Sequence, residues 1–265
     1  MNQKILVEQF CTLPEQEETD YDRKAFSRAR ILDITFENRV LRGYAMGKGQ
    51  NVLLVHGWGS RASHLSLLAR YLANNGFHVL IFDAPAHGNS RRTDTEDTSN
   101  MFEFGRAISC VAKKFGNIYG VIGHSIGATA AAFAMAGTGL LSGYQFAAEK
   151  LILISAPESV SRVIENYCRN RNEPDTMAEL TLGLEQAFHF QASDYSLSSA
   201  LPCLKSKILI VHDEQDREIP VSDALKLQKT DESYTLILTR GYGHQKILVN
   251  RDMYRAVKEF LSTTD

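Results

Sequence analysis

Ten residues constrain this chain more than any others: Tyr119-Gly120-Val121-Ile122-Gly123-His124-Ser125-Ile126-Gly127-Ala128. The apolar run Tyr119–Ile122 reads as a buried strand that stops at Gly123, and an alanine-rich, helix-forming run begins just after Ser125. The centre is a G-x-S-x-G pattern. A serine on a sharp strand-to-helix turn has strained backbone angles, and small residues two before and two after it relieve the crowding. Its hydroxyl is then held up at the end of a sheet. The amide of Ile126 falls at a helix N-terminus, where unpaired N–H groups and the helix dipole favour developing negative charge. A bare G-x-S-x-G also arises by chance in glycine-rich turns, so its weight depends on the surrounding chain.

That surrounding chain reads as one α/β unit. Ile31–Phe36 and Val40–Ala45, separated by Glu37-Asn38-Arg39, form a hairpin pattern. Asn51–Val55 is a continuous apolar run of the kind that suits a strand buried on both faces. Leu65, Leu68, Ala69 and Leu72 follow at helical spacing, stopped by Asn74-Asn75-Gly76. Phe77–Phe82 is the next strand. A polar loop of about ten residues after Ser90 leads to a helix over Met101–Phe115. The Ala-rich helix, Ala128 to about Ala136, carries almost no polar face and should be buried. Lys150–Ile154 is a strand. Ile208–Val211, Val221–Lys229, Tyr234–Leu238 and Arg251–Leu261 then repeat the strand–helix alternation. Such alternation predicts a mostly parallel sheet covered by helices on both faces, with sites beyond the carboxyl ends of its strands. Residues 157–204 break the pattern. They contain helical stretches at Val160–Tyr167 and Met177–Phe188 and no buried strand, and at roughly 45–50 residues they suit an insertion better than a domain. Residues 1–30 are mixed, with an acidic Glu15-Gln16-Glu17-Glu18 expected in solvent, and specify no role.

Composition removes several classes of function. A net charge of -2 offers no clustered basic excess for nucleic acid. Cys11, Cys110, Cys168 and Cys203 lie far apart with no C-x-x-C pairing, which argues against a zinc site or disulfide framework and for reduced thiols in a cytoplasmic protein. Glu8 and Gln9 interrupt Ile5-Leu6-Val7, so no signal peptide is expected, and no stretch approaches the roughly 18 apolar residues of a membrane span. No repeat or low-complexity segment is present, and no feature specifies an oligomeric state.

Acyl transfer at a serine requires a base for the hydroxyl proton, a carboxylate to hold that base, and two N–H donors for the oxyanion. Each has a candidate at a strand end, in the order serine, acid, histidine. His244 follows the last strand in Arg240-Gly241-Tyr242-Gly243-His244, where two glycines make a loop able to carry an imidazole over the sheet. Asp216 lies beyond the preceding strand. Asp213 and Glu214 are rival acids, and Asp216 is preferred because it is deeper in the loop and precedes Ile219-Pro220. The oxyanion donors are expected to be the amides of Ile126 and Trp58. Gly57 and Gly59 beside Trp58 allow close backbone approach to a carbonyl. The Trp58 indole, His124, Tyr167 and Phe188 are candidate substrate-binding residues, with His189, Phe190 and Tyr195 as further pocket positions. Arg162, Arg169 and Arg171 are expected on a solvated helix face rather than against an anionic substrate.

Together these residues resemble the α/β-hydrolase superfamily, in particular its serine esterases and lipases. The resemblance rests on His56-Gly57-Trp58-Gly59, Asp83 with His87-Gly88-Asn89-Ser90, Gly123-His124-Ser125-Ile126-Gly127, Asp216 with Ile219-Pro220, and Gly243-His244. It covers about residues 30–262, in the family's order and at family-like spacing. Many relatives have Arg-Gly-His-Gly where this chain has Pro85-Ala86-His87-Gly88, which loosens any subfamily assignment. The resemblance implies an eight-stranded, mostly parallel sheet, with a core at 31–156 and 205–265 and a helical cap at 157–204. It further implies a Ser125–His244–Asp216 triad, a structural role for His87-Gly88, and no metal or organic cofactor. The expected partner is a small molecule, an apolar ester of a small or medium acyl chain cleaved through an acyl-enzyme. The same apparatus serves thioesterases, C–C bond hydrolases and acyltransferases. A non-catalytic small-molecule-binding protein on this fold is the alternative of another class, disfavoured by the intact triad.

Overall fold

The computed structural model describes residues 3–14, 17–90 and 98–263. Glu15 and Gln16 of the acidic stretch, and residues 91–97 of the polar loop, lie outside the described residues. The chain begins with two helices, α1 (Gln3–Cys11) and α2 (Asp20–Ala25), where the sequence suggested no element. In α1 the pairs Leu6/Phe10 and Val7/Cys11 repeat at helical spacing, and Leu6 is fully buried. In α2, Thr19 and Asp22 form a capping box.

An antiparallel hairpin of β1 (Arg30–Phe36) and β2 (Arg39–Met46) opens the sheet. Next come β3 (Gln50–Val55), α3 (Ser66–Asn74), β4 (Phe77–Phe82), α4 (Met101–Phe115), β5 (Ile118–His124), α5 (Ile126–Ala136) and β6 (Lys150–Ile154). Three helices then intervene, α6 (Val160–Asn170), α7 (Met177–Phe188) and α8 (Leu197–Ala200). The alternation resumes with β7 (Lys207–Asp213), α9 (Val221–Gln228), β8 (Thr235–Thr239), the one-turn α10 (Gly243–Lys246) and α11 (Arg251–Ser262). The eight strands lie in the order β1-β2-β4-β3-β5-β6-β7-β8. Pairings from β4 across to β8 are all parallel, and β2 meets β4 antiparallel.

The strands are continuous apolar runs because both faces are covered. Leu53, Val55, Leu151 and Leu153 point into one core, and Val52, Leu54, Ile152 and Ile154 point into the other. This is the period-two alternation of a sheet between two helical layers. The Ala-rich α5 is buried from Ile126 to Met135, and its small side chains let it lie close against α4. Two strands run past the sequence expectation: β5 continues through His124 and β7 through Asp213, so both deliver polar residues directly at the sheet's carboxyl edge. Among the described residues, no helix is long and apolar enough to cross a membrane.

Candidate active site

Ser125 stands between β5 and α5 with φ 54° and ψ −131°, a backbone conformation that a side-chain-bearing residue rarely holds. Its neighbours make this turn feasible. A Cβ on Gly123 would lie 2.3 Å from Ala128 Cα, and one on Gly127 would lie 2.1 Å from the His56 carbonyl oxygen. Only glycine fits at either position. The Ser125 amide donates to the Ile154 carbonyl at 2.9 Å, which ties the turn to the neighbouring strand.

The Ser125 hydroxyl donates to His244 Nε2 at 3.0 Å, and His244 Nδ1–H donates to Asp216 Oδ2 at 2.7 Å. The loop after β7 aims that carboxylate. Asp216 Oδ1 accepts the amides of Glu218 and Ile219 at 2.8 and 2.9 Å, and His212 Nε2–H donates to the Ile219 carbonyl at 2.9 Å. Burial pushes the Asp216 carboxyl up. The hydrogen bond and charge of His244 and the two amides outweigh that effect and hold it below its ordinary value. Asp213 does different work: its carboxylate accepts the Tyr242 amide at 3.0 Å and the Thr239 hydroxyl at 2.8 Å, fixing the loop that carries His244. Glu214 points outward, 3.9 Å from Arg240. Gly241 and Gly243 take φ of 92° and 61°, and His244 then sits in the single turn α10.

The loop after β3 lies against Ser125. A Cβ on Gly57 would be 3.1 Å from Ser125 Cβ, so glycine here lets the chain pass beside the nucleophile candidate. Two histidines shape this loop. His56 Nδ1–H donates to the Gly57 carbonyl at 2.7 Å, and its Nε2 accepts the Ala84 amide at 3.0 Å. His87 Nδ1–H donates to the Pro85 carbonyl at 2.8 Å, and its Nε2 accepts the Gly59 amide at 3.0 Å. The Trp58 ring stands edge-on to His87 with centroids 5.3 Å apart. Among the described residues the amides of Trp58 and Ile126 have no hydrogen-bond acceptor. Both residues border the cavity beside Ser125.

That cavity holds about 230 Å³ and reaches from Ser125 and His244 up between the helices inserted after β6. Trp58, His124, Tyr167, Phe188 and Phe190 all line it. His124 is buried. Its Nε2–H donates to the His244 carbonyl at 3.0 Å, and burial together with His244 pushes its pKa down to about 3, so the ring is neutral. Two other pocket candidates lie elsewhere. Tyr195 is packed into the core against Phe133 and Phe102, and its hydroxyl accepts the Leu140 amide at 2.6 Å. His189 takes the left-handed position that ends α7 and is exposed. The arginines do not point at the cavity as free charges. Arg162 pairs with Asp223 at 3.1 Å, Arg171 with Glu173 at 3.1 Å, and Arg169 donates to the Glu218 carbonyl at 3.0 Å. The wall also includes residues that no local signal marked, among them Phe10 from α1, Val163 from α6 and Glu218, whose Oε2 lies 3.7 Å from His244 Nε2. Among the described residues no group of His, Cys, Asp and Glu is arranged to hold a metal ion.

A family model described as the alpha/beta hydrolase family matches residues 52–260. Among solved structures the chain is similar to a bacterial membrane phospholipase A, with TM-score 0.68 and 16% identity over 91% of this chain and 87% of that one. It is similar to an esterase of Pyrococcus furiosus, with TM-score 0.66 and 18% identity over 95% and 96%. It is also similar to the thioesterase domain from the curacin biosynthetic pathway, with TM-score 0.64 and 16% identity over 89% and 100%. At such identities the likeness bears on the fold alone. No curated protein matches the sequence.

Proposed function

The chain belongs to the α/β-hydrolase family, and on that premise we propose that it is a serine hydrolase that cleaves carboxylic esters of a small or medium acyl chain. One observation carries the reading: the unbroken relay from Ser125 Oγ to His244 at 3.0 Å and from His244 to Asp216 at 2.7 Å, set at the floor of a largely apolar cavity. His244 Nε2 takes the Ser125 proton as Oγ attacks the ester carbonyl carbon. The amides of Trp58 and Ile126 receive the oxyanion, the second of them at the N-terminus of α5. Collapse of the tetrahedral intermediate breaks the ester bond, and His244 returns the proton to the departing alcohol. Water then attacks the acyl-enzyme with His244 as base, and the acid leaves. Asp216, ionised, keeps His244 in the tautomer with hydrogen on Nδ1 and stabilises the imidazolium.

The apolar walls suit an acyl chain, and a cavity of about 230 Å³ suits a short or medium one. We place the protein in the cytoplasm on the spacing of Cys11, Cys110, Cys168 and Cys203, which lie far apart in the sequence with no C-x-x-C pair.

The test is peptide-mapped labelling with a fluorophosphonate probe, followed by kcat/KM on p-nitrophenyl esters and matched thioesters of increasing acyl length. A single adduct on Ser125, absent in Ser125→Ala and in His244→Ala, with ester turnover, is the expected outcome. Folded protein that neither labels nor hydrolyses would overturn the reading, and thioester turnover alone would change the bond assigned.

A further inference from the structure

Helix α1 lies outside the matched family region, yet it reaches the site. It is held at three places. Along its length it packs on α7, where Gly183 leaves the room it needs: a Cβ there would lie 2.7 Å from Gln3 Cγ and 2.8 Å from Val7 Cγ2. Gln3 Nε2 donates to the Glu179 carbonyl at 3.4 Å. On its inner side Leu6 is fully buried in the same core as the cavity walls. At its carboxyl end the Cys11 carbonyl accepts the Ser99 amide at 3.0 Å, and Thr12 bridges to Thr98. So α1 is strapped both to the inserted helices and to the segment that starts α4.

Between those anchors Phe10 turns inward. Its ring meets Tyr167 edge-on with centroids 5.0 Å apart, and both residues line the cavity. Edge-to-face aromatic pairs are rigid, directional contacts, so this wall does not yield easily to a longer chain. On the solvent side of the same helix Ile5 is exposed.

We infer that α1 is a specificity element of the site, and that Phe10, braced by Tyr167, sets the length of acyl chain the cavity accepts. The inference rests on the ester-hydrolase reading above. Removing the Phe10 ring extends the cavity toward α1, and enlarging it shortens the cavity. Apolar pockets discriminate by about tenfold or more for each methylene gained or excluded.

The experiment compares wild type, Phe10→Ala, Phe10→Trp and Ile5→Ala in the full chain. It reads the ratio of kcat/KM for p-nitrophenyl decanoate over butyrate, and the ratio of affinities for decanoate over butyrate by titration calorimetry. Both ratios should rise at least about tenfold in Phe10→Ala, fall in Phe10→Trp and stay at the wild-type value in Ile5→Ala. Equal ratios in all four folded proteins would overturn the role of Phe10. If wild type turned over no ester and Ser125 took no label, the hydrolase reading would fall, and the affinity ratios would still decide for or against Phe10.

Discussion

Asp216 and His244 meet at 2.7 Å, carboxylate Oδ2 to imidazole Nδ1–H, with the Asp216 side chain wholly buried and that of His244 nearly so. Asp216→Asn replaces an acceptor with an amide that can flip its donor toward Nδ1, so the imidazole takes the wrong tautomer. We expect kcat to fall by about 10⁴-fold with the fold retained, as measured by initial rates and circular dichroism. Asp213→Asn should lose far less, because Asp213 faces Tyr242 and Thr239 and not the imidazole. A dead Asp213→Asn beside an active Asp216→Asn would reverse the assignment.

The Gly59 amide donates to His87 Nε2, and the far side of that ring is anchored on the Pro85 carbonyl. His87 therefore sets the course of the loop that carries Trp58, whose amide is the proposed oxyanion donor. His87→Ala should lower kcat by about 10²-fold, the scale of losing one oxyanion donor, with a smaller change in KM. Steady-state kinetics on one ester check this. A pure KM effect would mean that the loop binds substrate without meeting the developing charge.

Much of this arrangement is written locally in the chain. Gly123 and Gly127 are legible because the turn at Ser125 leaves no space for a Cβ on either. The strands are legible because burial on both faces forces continuous apolar runs. The choice among Asp213, Glu214 and Asp216 is not local. It depends on where β8 and α10 deliver His244, and loop depth is only a proxy for that. Helix α1 was opaque for the same reason. Its partners Glu179 and Gly183 lie far along the chain, so neither the apolar spacing of α1 nor the small residue in α7 means anything until the two helices meet. Tyr195 and His189 show the converse. Aromatic and histidine residues near a pocket in sequence were drawn away by a hydrogen bond to Leu140 and by a left-handed helix end.

Asp83 gives a pH signature. Burial raises its carboxyl from an ordinary 3.8 to about 6, despite the amides of Ala62 and Asn89 that it accepts. Its folded value lies above its unfolded one, so between the two the native state binds more protons. The stability it contributes is present in full below about pH 4 and is lost as pH rises through about 6. The difference corresponds to about 3 kcal/mol. Urea unfolding of wild type and Asp83→Asn at pH 4 and pH 7.5 should show wild type losing about that much relative to the variant. A pH-independent difference would mean that Asp83 stays ionised throughout.

Lys150 offers a test of stability separate from the site. It begins β6, at the sheet edge opposite Ser125, and is almost fully buried. Its ammonium donates to the carbonyls of Phe260, Leu261 and Thr263 at 2.6, 3.1 and 2.7 Å, and to Thr263 Oγ1 at 2.9 Å. It also lies over the rings of Tyr119 and Phe260 at 5.3 and 5.4 Å. The last turn of α11 has carbonyls with no helical partner, and its dipole favours a cation there. Lys150→Met fills the space but removes the cation and its hydrogen bonds from the end of α11, while the Leu261 carbonyl keeps the Tyr119 hydroxyl and the Phe260 carbonyl keeps the Thr263 hydroxyl, so the change should cost about 1–3 kcal/mol in urea unfolding. Amides in the final turn of α11 should exchange faster with solvent deuterium, while Ser125 labels at the wild-type rate well below the melting temperature. If labelling slowed in step with stability, the two ends of the sheet would be coupled, and Lys150 would do more than terminate a helix.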